Sequence, residues 1–381
     1  MLNVAEKTLA GFFFINNGCP MISQNQKEPF FTVERYTPAR QQEWDDFVRT
    51  AKNATFLFCR DYMDYHQDRF SDCSLMIYCD GTLAAVLPAN LQSDGIVVSH
   101  EGLTYGGLVV ARAAKLTEVL ACFYAVLRSL AELQISQLQY KRIPGFYNTL
   151  PDSEVDYALF LLGARLYRRD CASAVATADR LPLRKGHHSA LVRARKLGAR
   201  MVQEASFQPF WEQVLSPRLG DRYRVKPVHS LEEISLLATR FPDQIKQFSA
   251  YAGNEILAGM TVYETDTVAH VQYSAATEKG RQIGALTYLA NALIEHYQNK
   301  QFFDFGISNE HGGKILNRGL QDWKEGFGAR CFTHDFYEIP TANYPRLEPV
   351  IAPVAVACRC QKRSSRLPPD SMRFRDQCNA R

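Results

Sequence analysis

Residues 75–107 and 248–277 share one order of apolar and polar positions. In each, a strand is followed by a glycine-containing turn, a second strand that ends in small residues, another turn, and a third strand that runs through a histidine to a tyrosine. Three positions match between the copies: Tyr78 with Tyr251, His100 with His270, and Tyr105 with Tyr273. An internal repeat of this kind constrains the architecture, because each copy must form the same supersecondary unit.

An amphipathic helix is predicted after each copy. Apolar residues recur at spacings of three and four between 119 and 130, and again between 286 and 297, as in a helix with one buried stripe. The other predicted elements are strands at 136–141 and 302–305, and helical segments at 42–49, 207–215 and 231–240.

Strands followed by a crossover helix and a further strand predict a mixed sheet with helices on its faces. We therefore predict an α/β (α+β) fold of two tandem units. The predicted divisions are a disordered leader (1–29), an N-terminal unit (30–175), a C-terminal unit (176–345) and a basic disordered tail (346–381). The alternative is that two unrelated domains share this order by chance.

Composition narrows the functional classes. No run reaches the eighteen apolar residues that a membrane-spanning helix needs, so no span is predicted. The ten cysteines lack metal-ligand spacing and are expected to be small buried residues of a reduced, cytoplasmic protein. The net charge is +4, and the last 24 residues hold seven Lys or Arg against two Asp. Outside that tail the charge is nearly balanced, so DNA binding is not expected.

Four stretches, "LVRARKLGA", "IGALTYLANALIEHY", "FFDFGISN" and "LQDWKEGFGA", resemble the FemAB family and its relatives with tandem GNAT acyltransferase folds. The resemblance covers most of residues 40–340. It is most specific at 284–329, where family members carry a helix, a strand that ends in Asp-Phe-Gly or similar, and a Lys-x-x-Phe-Gly motif. It implies GNAT-like units and amide formation on an amino sugar or peptide of a nucleotide-linked precursor, in bacterial cell-envelope polysaccharide biosynthesis. Such chemistry needs no metal.

The acyl donor must be held by its phosphates, which bind where helix amides and cations meet. "EKGRQIGAL" opens the second amphipathic helix and offers Lys279, Arg281 and Gly284 as cofactor-binding candidates. It resembles the GNAT pyrophosphate loop imperfectly, so acyl-CoA is a possible co-substrate, aminoacyl-tRNA is the alternative donor, and no tightly bound cofactor is expected. The basic stretch 180–200 either contacts such phosphates or is a solvated helix face.

The catalytic candidates lie in the C-terminal unit. In FemAB enzymes the motif lysine points into the acceptor site, so the resemblance implies that Lys324 lies beside a phosphate or the developing oxyanion. Asp304, at the end of a buried strand, is either a site carboxylate or a structural acceptor for loop amides. Glu310 is an exposed candidate for taking the proton of the amine.

Five residues are candidates for substrate binding: His100, Tyr105, Tyr273, Asn309 and Trp323. The segment "SHEGLTYGG" contains three glycines that allow a ligand close to the backbone, although it also suits a glycine-rich hairpin with a satisfied histidine. A different class of function stays open: a non-catalytic binding protein on a degenerate GNAT pair, which the imperfect phosphate loop favours.

Overall fold

The computed structural model describes residues 29–351 and 355–358, except positions 93 and 225. The strands are β1 (Phe30–Arg35), β2 (Leu75–Cys79), β3 (Thr82–Leu87), β4 (Asn90–Leu91), β5 (Ile96–Val98), β6 (Val109–Val110), β7 (Gln137–Lys141), β8 (Arg165–Ala176), β9 (Ala199–Glu204), β10 (Ile245–Ala252), β11 (Glu255–Glu264), β12 (Val268–Ala276), β13 (Phe302–Ile307), β14 (Asn309–Glu310), β15 (Ile315–Leu316), β16 (Arg330–Pro340) and β17 (Ala355–Cys358). The helices are α1 (Gln41–Thr50), α2 (Arg60–Met63), α3 (Leu116–Glu132), α4 (Glu154–Leu161), α5 (Lys185–Lys196), α6 (Gln208–Phe210), α7 (Ser216–Tyr223), α8 (Leu231–Arg240), α9 (Glu278–Ile283), α10 (Ala285–His296) and α11 (Arg318–Glu325).

Both halves of the chain repeat one order of elements. A strand and helices come first, then antiparallel strands, a long helix, one strand, a short helix and a final long strand. In the first half the long helix is α3 and the final strand is β8; in the second they are α10 and β16. The predicted helices and strands around 119–130, 136–141, 286–297 and 302–305 are confirmed.

The halves share one sheet because each contributes its last strand to the other. A five-stranded sheet has the order β17-β1-β2-β3-β6, and a ten-stranded sheet has the order β4-β5-β7-β16-β8-β13-β12-β11-β10-β9. β8, which ends the first half, lies between β16 and β13 of the second. β16 in turn pairs with β7 of the first half. The predicted division at 175/176 falls at the end of β8.

The long helices pack on these sheets through the apolar stripes that the sequence predicts. In α3, Phe123 and Leu127 are buried in a cluster that also contains β1 and β2 residues. In α10, Leu289 and Leu293 are buried in a separate cluster of the second half. Each stripe therefore joins the core of its own half, as burial of one helix face requires.

The tail prediction requires correction. Residues from 346 onward were expected to be disordered, but Leu347 is fully buried and Ile351 is 8% exposed in the core of the first half. β17 then pairs in parallel with β1. The local pattern does not reveal that Leu347 and Ile351 join the cluster around α3 or that β17 extends the sheet beside β1. The leader 1–28 and residues 359–381 lie outside the described part of the chain.

Two other expectations differ from the structure. The helix predicted at 207–215 is a short α6 that continues through a π-helical turn, Trp211–Leu215, into α7. Cys171 of β8 and Cys331 of β16 form a disulfide with 5.6 Å between their Cα atoms, whereas all cysteines were expected to be reduced. Cys59 and Cys122 are free and buried, as expected.

Within the described residues, none of the helices combines the length and the apolar character that crossing a bilayer requires. Over the same residues, no group of three or more His, Cys, Asp and Glu side chains is placed to hold a metal ion.

Candidate functional site

Two neighbouring parallel strands of the second half separate to form a fork. β12 and β13 pair from Val268 with Phe302 as far as His270 with Asp304, and their pairing ends there. β13 also changes register against β8 between Asp304 and Ile307. Strand ends of this kind are where α/β sheets bind ligands. His270 and Asp304 therefore stand at the branch point of the fork.

Asp304 is the centre of a hydrogen-bond network at this fork. Its Oδ2 accepts from the Tyr147 hydroxyl at 2.7 Å and from His270 Nδ1 at 2.8 Å. Its Oδ1 accepts from the amide of Gly306 at 2.7 Å. The side chain is 2% exposed, and a buried carboxylate needs such partners to remain charged.

The electrostatics of this network keep Asp304 ionised. Burial acts to raise the pKa of the carboxyl, but the adjacent His270 and the donated hydrogen bonds outweigh it, so the pKa of Asp304 lies below its ordinary value. Burial, reinforced by the Asp304 charge, raises the pKa of Tyr147 well above its ordinary value, so this hydroxyl remains a donor. An ionised acceptor on Nδ1 fixes the tautomer of His270 with its lone pair on Nε2.

The wall beside His270 is built from backbone. Gly306 has φ +70°, and a β carbon there would lie 3.3 Å from Cε1 of His270. A side chain at this position would therefore be strained and would press on the imidazole. Lys324 Nζ donates to the carbonyls of Gly306 at 2.8 Å and Ile307 at 2.7 Å, which fixes this strand end from behind.

The fork opens into a cavity of about 390 Å³ between the two halves. His270 and Asp304 form one wall, and Tyr105 and Tyr147 from the first half form another. The rings of these two tyrosines lie 4.8 Å apart. The cavity is therefore completed by both units, and its lining includes aromatic as well as ionisable side chains.

A polar wall of the cavity comes from the exchanged strands. Asp170 of β8 lies opposite His334 of β16. Arg168 donates to Asp170 Oδ2 through Nε at 3.0 Å and Nη2 at 2.7 Å, and its guanidinium covers the Phe336 ring at 4.4 Å. Asp170 Oδ1 and His334 Nε2 are buried and have no hydrogen-bond partner within the described chain. Burial lowers the pKa of His334 to about 4, so it is neutral at pH 7.

The first half contains a corresponding fork between β5 and β7, and it is filled. β5 and β7 pair as far as Val98 with Gln139. Lys141 Nζ then donates to the carbonyls of His100 at 2.9 Å, Glu101 at 2.7 Å and Leu103 at 3.0 Å. The lysine therefore fills the gap where these two strands diverge.

Of the catalytic candidates, Asp304 lines the cavity, whereas Lys324 and Glu310 do not. Lys324 is 3% exposed, and burial lowers its pKa to about 8 against the opposing attraction of Asp304. Its ammonium group contacts backbone carbonyls behind the wall. Glu310 is exposed in the β14–β15 hairpin, where Asn317 Nδ2 donates to it at 3.2 Å.

Among the substrate-binding candidates, only Tyr105 lines the cavity within the described residues. His100 is buried beside His66, and its Nδ1 has no partner in the described chain. Three others contact structural partners: Tyr273 Oη lies 2.6 Å from His229 Nδ1, Asn309 Oδ1 accepts from the Cys171 amide at 2.5 Å, and Trp323 Nε1 donates to Thr287 at 3.2 Å.

The candidate phosphate loop is a turn of helix at the surface. Lys279 forms an ion pair with Glu255, and Arg281 forms one with Glu278. Gly284 has φ +84° and joins α9 to α10. Thr277 Oγ1 accepts from the amide of Gly280 at 3.0 Å, so this amide of the helix start is already bonded.

Most of the polar residues that line the cavity were not predicted from the sequence. His270 appeared only as the repeat counterpart of His100, and Tyr147, Arg168, Asp170 and His334 were not selected. β8 and β16 each carry several charged residues. Only the pairing of these strands across the two halves brings Asp170 and His334 to the cavity.

No protein-family model and no curated protein matches this chain. Solved structures do. FemX has a TM-score of 0.58 at 11% identity, covering 83% of this chain and 99% of its own. The C-terminal domain of a putative lysylphosphatidylglycerol synthetase from Agrobacterium fabrum has a TM-score of 0.53 at 11% identity, covering 82% and 96%. L-PGS from Bacillus licheniformis has a TM-score of 0.53 at 13% identity, covering 84% and 98%.

These likenesses extend over almost the whole of each matched structure. They confirm, at the level of the fold, the resemblance to FemAB-like proteins that the C-terminal motifs indicate. The predicted fold class of two tandem GNAT-like mixed-sheet units with helices on the sheet faces is confirmed as well.

Proposed function

We propose that this protein is an acyltransferase that forms an amide, with His270 as its general base. The observation that carries the proposal is the chain of hydrogen bonds from Tyr147 through Asp304 to His270 at the open fork. A carboxylate on Nδ1 orients the imidazole, leaves Nε2 as the basic nitrogen and stabilises the imidazolium that forms.

In this reaction the amine nitrogen of the acceptor attacks the acyl carbonyl carbon. His270 Nε2 accepts the proton that the nitrogen loses. The new C–N bond forms as the bond from the carbonyl carbon to the oxygen or sulfur of the donor breaks, and the imidazolium returns the proton to that leaving atom. Asp304 stays ionised throughout, because its hydrogen bonds favour the charged form.

The acceptor that we propose is an amino sugar or peptide of a nucleotide-linked cell-surface precursor. The polar wall supports a polar acceptor, because Asp170 Oδ1 requires a donor that the described chain does not supply. The aromatic side formed by Tyr105 and Tyr147 suits the apolar face of a sugar ring or peptide. Acyl-CoA and aminoacyl-tRNA remain alternative donors, and the name of one matched structure, a lysylphosphatidylglycerol synthetase, denotes an aminoacylated product.

A second candidate is a non-catalytic binding protein on the same fold. The observation that favours it is the pairing of both candidate phosphate-loop cations, Lys279 and Arg281, with carboxylates. Such pairing weakens the loop as a cradle for phosphate. The hydrogen-bonded pair of His270 and Asp304 favours catalysis, because a binding site has no need of an oriented base.

The test is incubation of the protein with a panel of CoA esters and aminoacyl-tRNAs against nucleotide-linked amino sugars and peptides, with products detected by mass spectrometry. We expect one acceptor to gain the mass of an acyl group, and His270→Asn to abolish that gain. Tight binding of an acceptor without any product from either donor class would establish the second candidate instead.

A further inference from the structure

Exposed apolar side chains are concentrated on two short segments. Of the eighteen large hydrophobic residues that are exposed within the described chain, seven lie at 181–197 or 307–320. They are Leu181, Val192, Leu197, Ile307, Ile315, Leu316 and Leu320, which are 38% to 53% exposed. Single exposed apolar residues need no explanation, but a concentration of this kind marks a contact surface.

The fold brings the two segments together. The Arg184 amide donates to the Gly326 carbonyl at 2.9 Å, and His187 Nε2 lies 2.9 Å from the Trp323 carbonyl oxygen. The N-terminal end of α5 therefore rests on the C-terminal end of α11, which directly follows the β14–β15 hairpin. We call the exposed side of residues 181–197 and 307–320 the basic-apolar surface.

Cations accompany the apolar residues. Residues 180–200 contain seven Lys or Arg and no acid. On α5, the buried stripe of His187, Leu191 and Ala194 faces the protein, and the opposite side is exposed. Seven cations of this surface are exposed and form no ion pair within the described residues: Arg184, Lys185, Arg193, Arg195, Lys196, Lys314 and Arg318.

The hairpin holds its apolar residues outward rather than leaving them free to fold inward. Asn309 is tied to β8 through the Cys171 amide, and the Asn317 amide donates to the Ser308 carbonyl at 2.9 Å. Ile307 both lines the cavity and is 39% exposed. The basic-apolar surface therefore reaches the rim of the candidate site.

We propose that the basic-apolar surface docks onto an anionic lipid membrane. Basic side chains are attracted to acidic headgroups, and neighbouring apolar side chains enter the boundary between headgroups and acyl chains. A nucleic acid would account for the cations, but its phosphates give no role to exposed leucine, isoleucine and valine side chains. Docking places the cavity rim at the membrane surface. The proposal rests on surface composition alone and does not depend on the proposed chemistry.

Flotation with lipid vesicles tests the proposal. The full chain is mixed with vesicles of equimolar phosphatidylglycerol and phosphatidylcholine, or with phosphatidylcholine vesicles alone. We expect binding to the anionic vesicles only, weakening as salt increases. The apolar variant Ile315→Ser/Leu316→Ser/Leu320→Ser and the charge variant Lys185→Ser/Arg195→Ser/Lys196→Ser should each lower the vesicle partition coefficient by about tenfold or more.

The matched control is Phe160→Ser/Val228→Ser, which removes two side chains that are 77% and 76% exposed outside this surface. It should bind vesicles as the unmodified chain does. Circular dichroism verifies that each variant is folded. Size-exclusion chromatography shows whether the chain self-associates. Absence of vesicle binding, equal loss in the control, bulk transfer RNA bound in place of vesicles, or a dimer that dissociates in the apolar variant would each overturn the proposal.

Discussion

The two forks of the molecule occupy equivalent places in their halves and differ in what fills them. In the second half, β12 and β13 diverge around His270 and Asp304, and a cavity enters between them. In the first half, β5 and β7 diverge, and Lys141 bonds three carbonyls across the gap. The same topology thus forms an open cavity in the second half and a fork filled by a lysine side chain in the first half.

Each fork is bonded by one lysine, half-buried Lys141 or buried Lys324, and the forks differ in the side from which the lysine approaches. Lys141 enters its fork directly. Lys324 bonds Gly306 and Ile307 from behind the strand, so the space between β12 and β13 stays free. Both lysines supply the donors that splayed strands leave missing. A duplicated unit therefore keeps its fork open only where the donor comes from outside it.

The closed half still contributes to the site. Tyr147 follows β7 of the first half, yet its hydroxyl bonds Asp304 of the second. Arg168 and Asp170 lie on β8, which is inserted into the sheet of the second half. The first unit, whose fork is filled by Lys141, supplies an aromatic wall and a polar wall to its neighbour.

The largest expected effect is a difference in activity between variants of His270 and His100, the two histidines that occupy matching positions in the repeat. His270→Asn removes the proposed base and should lower the transfer rate about a hundredfold or more. His100→Asn should retain most activity, because His100 does not line the cavity, and asparagine tolerates its φ of +57°. The measurement is the initial rate of acyl transfer per folded molecule. It uses the donor and acceptor that mass spectrometry identifies. Equal loss in both variants would mean that the open fork is not the catalytic one.

The second prediction compares the lysines. Lys324→Met and Lys141→Met each leave partly buried carbonyls without donors, so each should lower the free energy of unfolding by about 1–3 kcal/mol. Only Lys324→Met should also reduce turnover, because the carbonyls that it releases belong to the wall beside His270. Urea unfolding and kcat measure the two effects. Normal turnover in Lys324→Met would show that the wall holds its shape without the lysine.

Much of this fold is predictable because the repeat and the helical stripes are local signals. α3, α10, β7 and β13 follow from residue periodicity within fewer than twenty positions. The strand exchange is not local, because nothing in the sequence of β8 states that it pairs with β13 rather than remaining in its own unit. The burial of Leu347 is missed for the same reason, since its partners on α3 lie more than two hundred residues earlier.

The site was less predictable than the fold. Asp304 and Tyr105 were identified because they stand at a strand end and in a glycine-rich segment. Lys324 was selected through the family resemblance, and the structure places its ammonium behind the wall. Tyr147 and His334 carry no local signal, because their roles depend on contacts with the other half. A sequence motif therefore identifies the segment near a site. The side chains that face the cavity depend on how the two halves pair.

The third prediction concerns pH. Burial lowers the pKa of Lys141 and of Lys324 to about 8, below the value near 10.4 of an unfolded lysine. Between these values the unfolded chain binds more protons, so this contribution to stability rises with pH and is lost as pH falls through about 8. The rise cannot exceed about 1.4 kcal/mol per pH unit for each lysine.

The double variant Lys141→Met/Lys324→Met is the reference for that measurement, because it keeps every buried tyrosine that also titrates at high pH. We expect the unfolding free energy of the unmodified chain, minus that of the double variant, to increase from pH 8 to pH 10. A flat difference would show that both lysines stay charged in the folded protein.

The smallest expected effect concerns the N-terminal ends of α3 and α9. Each helix lies in the chain between the two strands of its fork. At α3, Glu118 Oε2 accepts from the Lys115 amide at 2.8 Å, so a carboxylate already occupies the positive end of the helix. At α9 the cap is the neutral hydroxyl of Thr277, and the first-turn carboxylate of Glu278 is paired with Arg281. Lys279→Ala should change the free energy of unfolding by only about 0–1 kcal/mol, since its pair with Glu255 is exposed.

If α9 holds the phosphates of CoA, Lys279→Ala should also weaken CoA binding by about fivefold, which is the effect of one charge near a helix end. Lys115→Ala should leave CoA binding unchanged, because the Glu118 carboxylate repels an anion there. Calorimetric titration of both variants with CoA measures the difference, and equal affinities would remove the α9 loop from the donor site.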